Sequence, residues 1–133
     1  MNPLVEAAES SEHRRLVRAL IDYLSLLGFV TKCAAYVGYN QCPEISGHIP
    51  DIEGTNSAGL AAIGEAKTFD DLDNDRTREQ FRAFSNCTMK GGNSNGQTVP
   101  FYVAITRGHE KELAIALHEL GLDTKSNIYR VSF

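Results

Sequence analysis

His48-Ile49-Pro50-Asp51-Ile52-Glu53-Gly54-Thr55-Asn56-Ser57-Ala58-Gly59-Leu60-Ala61-Ala62-Ile63-Gly64-Glu65-Ala66-Lys67-Thr68, residues 48–68, is the stretch whose reading decides the fold. Two short runs, His48 to Glu53 and Leu60 to Thr68, flank Gly54 to Gly59, whose Gly, Asn and Ser residues suit a tight reversal. The stretch therefore reads as an antiparallel hairpin. Strand side chains alternate between faces, so Ile49, Asp51 and Glu53 share one face of the first strand, and Ile63, Glu65 and Lys67 share one face of the second. A turn centred near Ser57 and Ala58 sets Asp51 opposite Glu65, with Lys67 next on the same face.

Two carboxylates about 4 Å apart repel by roughly 4 kcal/mol at an effective dielectric near 20, so the pair calls for a proton or a cation. Lys67 supplies part of that charge. Hard oxygen donors favour Mg²⁺ for the rest, with Mn²⁺ able to substitute. On this reading Asp51, Glu65 and the Ala66 carbonyl hold the ion. Lys67 then orients an attacking water or offsets charge on a phosphate, which is the chemistry of metal-assisted phosphodiester hydrolysis. The competing reading is an exposed hairpin face whose charges serve solubility alone.

Working outward, Leu16, Leu20, Tyr23, Leu24 and Leu27 recur at helical spacing between Ser11 and Leu27, with Gly28 as a stop. Phe29 to Val37 reads as a strand leading into a loop, Gly38 to Gly47. Asp70, Asp71, Asp73 and Asp75 precede a stripe of Thr77, Phe81 and Phe84 and read as acids at the start of a second helix. Lys90 to Gln97 has little to bury and reads as a mobile loop. Val99 to Thr106 follows as a buried strand, His109 to Leu120 as a third helix ended by Gly121, and Ile128 to Phe133 as a last strand. The predicted order is α-β-β-β-α-β-α-β without internal repeats.

A chain of 133 residues, 42% hydrophobic and 23% charged, has the size and balance of one globular domain spanning residues 1–133. No apolar run is long enough for a bilayer, and Met1 to Arg15 lacks the pattern of a secretory signal, so the expected location is the cytoplasm. Cys33, Cys42 and Cys87 are odd in number and widely spaced, and are expected to be buried free thiols. A formal net charge of -4 argues against a dedicated nucleic-acid binder. A carboxylate-rich site lowers that sum by itself, however, and a local basic surface can still engage phosphates.

Other residues are candidates for the same site. Glu12 lies four residues before Leu16, continues the buried stripe and is expected as a third metal ligand, with Glu9 and Glu53 as lesser candidates. Gln80 neighbours the core-facing Phe81 and Phe84 and forms a row with Arg76, from which it can reach the site or a DNA phosphate. Arg78 and Arg82 form a second row that, with Lys90 and Arg107, offers a basic surface. His13, His48, His109 and His118 lack metal-ligand spacing and receive no catalytic role. Tyr36, Tyr39 and Tyr102 are read as core residues in preference to base-stacking ones.

Glu12, Pro50-Asp51, Glu65-Ala66-Lys67 and Gln80 together resemble the PD-(D/E)xK nuclease superfamily, in particular its small resolvase-like or restriction-type members. Gln80 to Phe84 is similar to the Q-hydrophobic-x-x-Tyr helix of RecB-type nucleases, with Phe84 in place of the tyrosine. The resemblance implies an α/β fold with a restriction-endonuclease-like αβββαβ core. Its mixed central sheet is flanked by helices and extended by a C-terminal helix and strand. It further implies Mg²⁺-dependent DNA endonuclease activity carried by Asp51, Glu65 and Lys67, and a homodimer, since two sites are the simplest means of cutting two strands. Fold does not determine function, so a non-catalytic nucleic-acid-binding or assembly module with the same fold is the alternative.

Overall fold

The computed structural model describes residues 3–133, with side chains from Ser11 onward. The hairpin forms its centre. β2 (Ile52–Thr55) and β3 (Ala61–Lys67) pair antiparallel, with Ile52 opposite Gly64 and Thr55 opposite Ala61. The reversal is built by Asn56, whose carboxamide oxygen accepts the N–H groups of Ala58 and Leu60, and by Gly59 at φ 79°. β2 begins four residues later than the expected His48 and takes in Gly54 and Thr55 from the expected turn, so Asp51 stands just ahead of it.

β1 (Val30–Ala34) pairs antiparallel with β2, while β4 (Phe101–Ile105) and β5 (Ile128–Ser132) add in parallel beyond β3. The five-stranded mixed sheet has the order β1-β2-β3-β4-β5. Parallel neighbours require crossovers, and two helices supply them: α2 (Asp75–Ser85) between β3 and β4, and α3 (Glu110–Glu119) between β4 and β5. α1 (Pro3–Leu26) covers the other face. The architecture is thus α/β, a mixed sheet flanked by helices.

Each face has its own apolar cluster. Leu16, Val17, Leu20, Ile21 and Leu24 of α1 pack on Ala34, Ile52, Ala62, Ala66, Tyr102 and Ala104. The small residues of β3 let the helix approach closely. A Cβ at Gly64 would lie 2.9 Å from Leu20 Cδ2 and 3.3 Å from Ile52 Cβ. On the opposite face Phe81, Phe84, Leu113 and Leu117 pack on Ile63, Phe101, Val103 and Ile105. Since Glu65 and Lys67 alternate with Ala66, they emerge on this second face, under α2.

One expectation is corrected. Cys33 and Cys42 are not free thiols but a disulfide, with a Cα–Cα distance of 5.0 Å; Cys87 alone is free. The pairing follows from the loop after β1 folding back, where Ala34 N–H donates to Asn40 O. The segment Lys90 to Gln97 is a loop, as expected, and is closed by main-chain hydrogen bonds at its ends. Met89 N–H donates to Gln97 O, Gly96 N–H donates to Met89 O, and Thr88 bridges Thr98. Among the described residues no helix is long and apolar enough to cross a membrane.

Candidate functional site

Main-chain pairing between β2 and β3 stops at Ile52 and Gly64, and side chains continue it for one more rung. Asp51 N–H donates to Glu65 Oε1 at 3.0 Å, and Ala66 N–H donates to Asp51 Oδ2 at 2.9 Å. On its other side Asp51 O accepts the Ala35 N–H at 2.7 Å. The two carboxylates are therefore fixed against each other by the backbone of the opposite strand. Both are buried, Asp51 at 9% exposure and Glu65 at 2%.

Like charges so placed separate their titrations. Burial and the charge of Asp51 hold Glu65 well above the ordinary carboxylate range, against the opposing effect of Lys67. Burial also acts to raise Asp51. The hydrogen bond and charge of His13, with the Ala66 N–H, outweigh burial and leave Asp51 below its ordinary value. Asp51 is thus the first of the pair to ionise as pH rises.

Lys67 is itself only 2% exposed, and its Nζ finds three partners: Glu65 Oε2 at 3.5 Å, Asp71 Oδ2 at 3.3 Å, and Gln80 Oε1. Gln80 comes from α2, where its neighbours Phe81 and Phe84 are anchored in the core. Asp71 belongs to a 3-10 turn, Phe69–Asp71, which immediately follows β3. Its position is secured by Asn74, whose Nδ2 donates to Asp71 Oδ1 at 2.9 Å while its Oδ1 caps α2 by accepting from Thr77 N–H. One cap therefore fixes both the helix that carries Gln80 and the acid that faces Lys67.

A groove of about 460 Å³ opens over this cluster; His13, Asp51, Glu65, Lys67, Arg76 and Gln80 line it. The structure brings together Asp51, Glu65, Lys67 and Gln80. The carbonyl of Ala66 leaves β3 on the same side as its N–H, toward Asp51, as both groups of one strand residue do. These oxygens form a donor set suited to a hard divalent cation, whose charge would relieve the repulsion that raises Glu65.

Glu12 is not brought there. It accepts from the Arg15 guanidinium at 2.6 and 3.0 Å and from Thr106 Oγ1, just beyond β4. Arg15 and then Thr106 hold its pKa down at about 2. The stripe of α1 does continue to Glu12, but at that turn the helix lies over the ends of β4 and β5, where Arg15 also reaches Phe133 O. Its neighbour His13 faces the groove instead, with Nε2 3.0 Å from Asp51 Oδ2. The hydrogen bond to Asp51 raises the His13 pKa, with burial opposing it. Glu53 turns away toward Cys33 Sγ, and the Glu9 side chain lies outside the described residues.

His13 and Asp71 are the site residues that the sequence reading missed. His13, Val17 and Ile21 form an i, i+4 row beside the Leu16 stripe, and this row was the available signal for His13. For Asp71 the signal was its spacing of four from Lys67, which was masked by three other aspartates. Arg78 is taken up by Asp73 and Asp75 at 2.7 and 2.9 Å, so of the two arginine rows only Arg76 reaches the groove. Compared with family models, curated proteins and solved structures, the chain matches none of them.

Proposed function

We propose that the chain is a metal-dependent endonuclease that hydrolyses DNA phosphodiester bonds, built on a restriction-endonuclease-like αβββαβ core and acting in the cytoplasm as a homodimer. One observation carries the reading: two buried carboxylates and a buried lysine share a single groove, each fixed by a dedicated partner. Burying three ionisable groups together is costly unless they are mutually compensated, and such clusters concentrate at functional sites.

Asp51, Glu65 and the Ala66 carbonyl would hold Mg²⁺, with Mn²⁺ as a substitute. When bound, such an ion supplies Lewis acidity to a phosphodiester oxygen and to the attacking water. The remaining work falls to the chain. Lys67, held by Gln80 and Asp71, keeps an ammonium at the carboxylates, where it can hydrogen-bond the attacking water or a phosphate oxygen gaining charge. Arg76 lines the groove one helical turn before Gln80 and offers a positive contact for a flanking phosphate. His13 holds Asp51 in its ionised form.

The test incubates supercoiled plasmid, branched DNA and single strands with Mg²⁺ or Mn²⁺ and compares the wild type with Lys67→Ala. Cleavage that the variant loses by about 100-fold or more is the expected result. Cleavage of none of the substrates, or equal cleavage by both proteins, would sink the proposal. DNA binding without metal binding by calorimetry would instead favour the non-catalytic binding module, a reading for which the net charge of -4 is the motivation.

A further inference from the structure

We propose that the Cys33–Cys42 disulfide is a reversible thiol-modification site that fixes the segment carrying Asp51. Cys33 lies on β1, and the register with β2 slips between Thr31 and Cys33, so the ladder restarts at Cys33 opposite Glu53 and Ala34 opposite Ile52. The next rung is Ala35 N–H donating to Asp51 O at 2.7 Å. Between these residues and Asp51 runs a long loop without a strand of its own, crossed by the Ile45–His48 bridge and carrying Ser46 at φ 51°. Cys42 is buried within that loop, at 3% exposure, as is Pro50 beside Asp51, and the disulfide ties Cys42 to the strand two residues before Ala35.

The bond and the site are thus contiguous. β1 is an edge strand, with β2 as its only neighbour among the described residues. Releasing Cys42 frees the loop on one side of the Ala35–Asp51 rung, and Asp51 N–H and Oδ2 are in turn the groups that face Glu65 and Ala66. Chemically, the thiolate of a dithiol reductant attacks one cystine sulfur and displaces the other, which takes up a proton. The second thiol of the reductant then resolves the mixed disulfide. Two cysteine thiols form, the S–S bond breaks, and the reductant leaves as its own disulfide. Disulfides of cytosolic proteins are characteristically of this reversible kind, so reversibility rests on the cytoplasmic location proposed above.

The coupling to metal binding rests on the proposed function; the coupling to loop order does not. The test uses the full chain carrying Cys87→Ser, purified without reductant. No thiol should titrate when that protein is denatured, and two should titrate after treatment with a dithiol. Hydrogen exchange at the Ala35 amide is expected to quicken at least tenfold in the reduced form, with Mg²⁺ binding several-fold weaker by calorimetry. Cys42→Ser should reproduce the reduced behaviour with or without dithiol. Two titrating thiols before reduction, or equal exchange in both forms, would overturn the proposal. So would one equivalent of zinc held by the reduced protein through Cys33, Cys42 and Glu53, whose ligand atoms lie within 4.8 Å of one another. If exchange responds but neither form binds Mg²⁺, the switch stands and the catalytic reading falls.

Discussion

Replacing Lys67 by methionine keeps an unbranched side chain in a position only 2% exposed while deleting its charge. The ammonium lies 3.5 Å from Glu65 Oε2, and at an effective dielectric near 20 that contact alone corresponds to roughly 5 kcal/mol of gross attraction. Desolvation of both groups offsets part of it. Asp71, with 39% of its side chain exposed, contributes less because solvent screens it. Removing one partner of a buried pair costs about 3–5 kcal/mol, since the remaining charge is stranded. Glu65 has a way out: its pKa already stands well above the carboxylate range, so without Lys67 it takes up a proton. The expected loss is therefore about 3 kcal/mol at alkaline pH, above the raised Glu65 value, and smaller at acid pH, below it, where Glu65 has no charge to strand. Urea unfolding at both pH values measures it, and a double-mutant cycle isolates the pair. In a Glu65→Gln background Lys67→Met should cost only about 1 kcal/mol. Equal losses in both backgrounds and at both pH values would refute the reasoning, because Lys67 would then act through its methylenes alone.

Four further predictions concern the same region. The folded chain holds the Glu65 proton more tightly than the unfolded chain does. The stability this confers is therefore present at acid pH and falls as pH rises from the ordinary carboxylate range through the raised value; Glu65→Gln should flatten that slope in urea midpoints. The same proton competes with Mg²⁺, so affinity should increase with pH over that window, and calorimetry in two buffers of different ionisation enthalpy should detect proton release. For His13 the folded pKa is also raised. The Asp51 contact stabilises the fold below the ordinary histidine value and is lost as pH rises through the folded one; an NMR titration should show the His13 pKa falling back in Asp51→Asn. Gly64→Ala should destabilise by about 1–3 kcal/mol through its collision with Leu20 and Ile52, and a second change, Leu20→Ala, should cost less in that background than in the wild type.

What the sequence disclosed was the part governed by short-range periodicity. Alternation along residues 48–68 and a reversal within Gly54 to Gly59 were enough to set Asp51 beside Glu65, because one register serves both the turn and the buried face. Gln80 was legible from its place next to Phe81 on an amphipathic helix. Glu12 continues the Leu16 stripe and His13 the Val17 row about 100° away, and which of the two rows faces the site depends on where α1 crosses the sheet. Asp71 was hidden for another reason. Four aspartates in a row of six residues all look like helix-start acids, and only the 3-10 turn with Asn74 as cap separates the one that faces Lys67. A nine-residue separation between Cys33 and Cys42 carries no local signature, because it is the return of the loop that brings the sulfurs together.

The side-chain rung between β2 and β3 decides which substitutions can separate chemistry from folding. Asp51 and Glu65 each accept a buried main-chain N–H from the other strand, so truncating either to alanine leaves a donor unsatisfied, at about 1–3 kcal/mol, and loosens the strand end that presents the other. A dead alanine variant would therefore say little about catalysis. Glu65→Gln keeps an oxygen that can accept from Asp51 N–H, and Asp51→Asn keeps one for Ala66 N–H, while each removes a charge that a divalent ion requires. If these amide variants fold with wild-type or higher stability yet lose metal binding, the carboxylate charge is held in place against its own repulsion. Such a cost is expected only where the charge serves the site, since a neutral pair would fold at least as well.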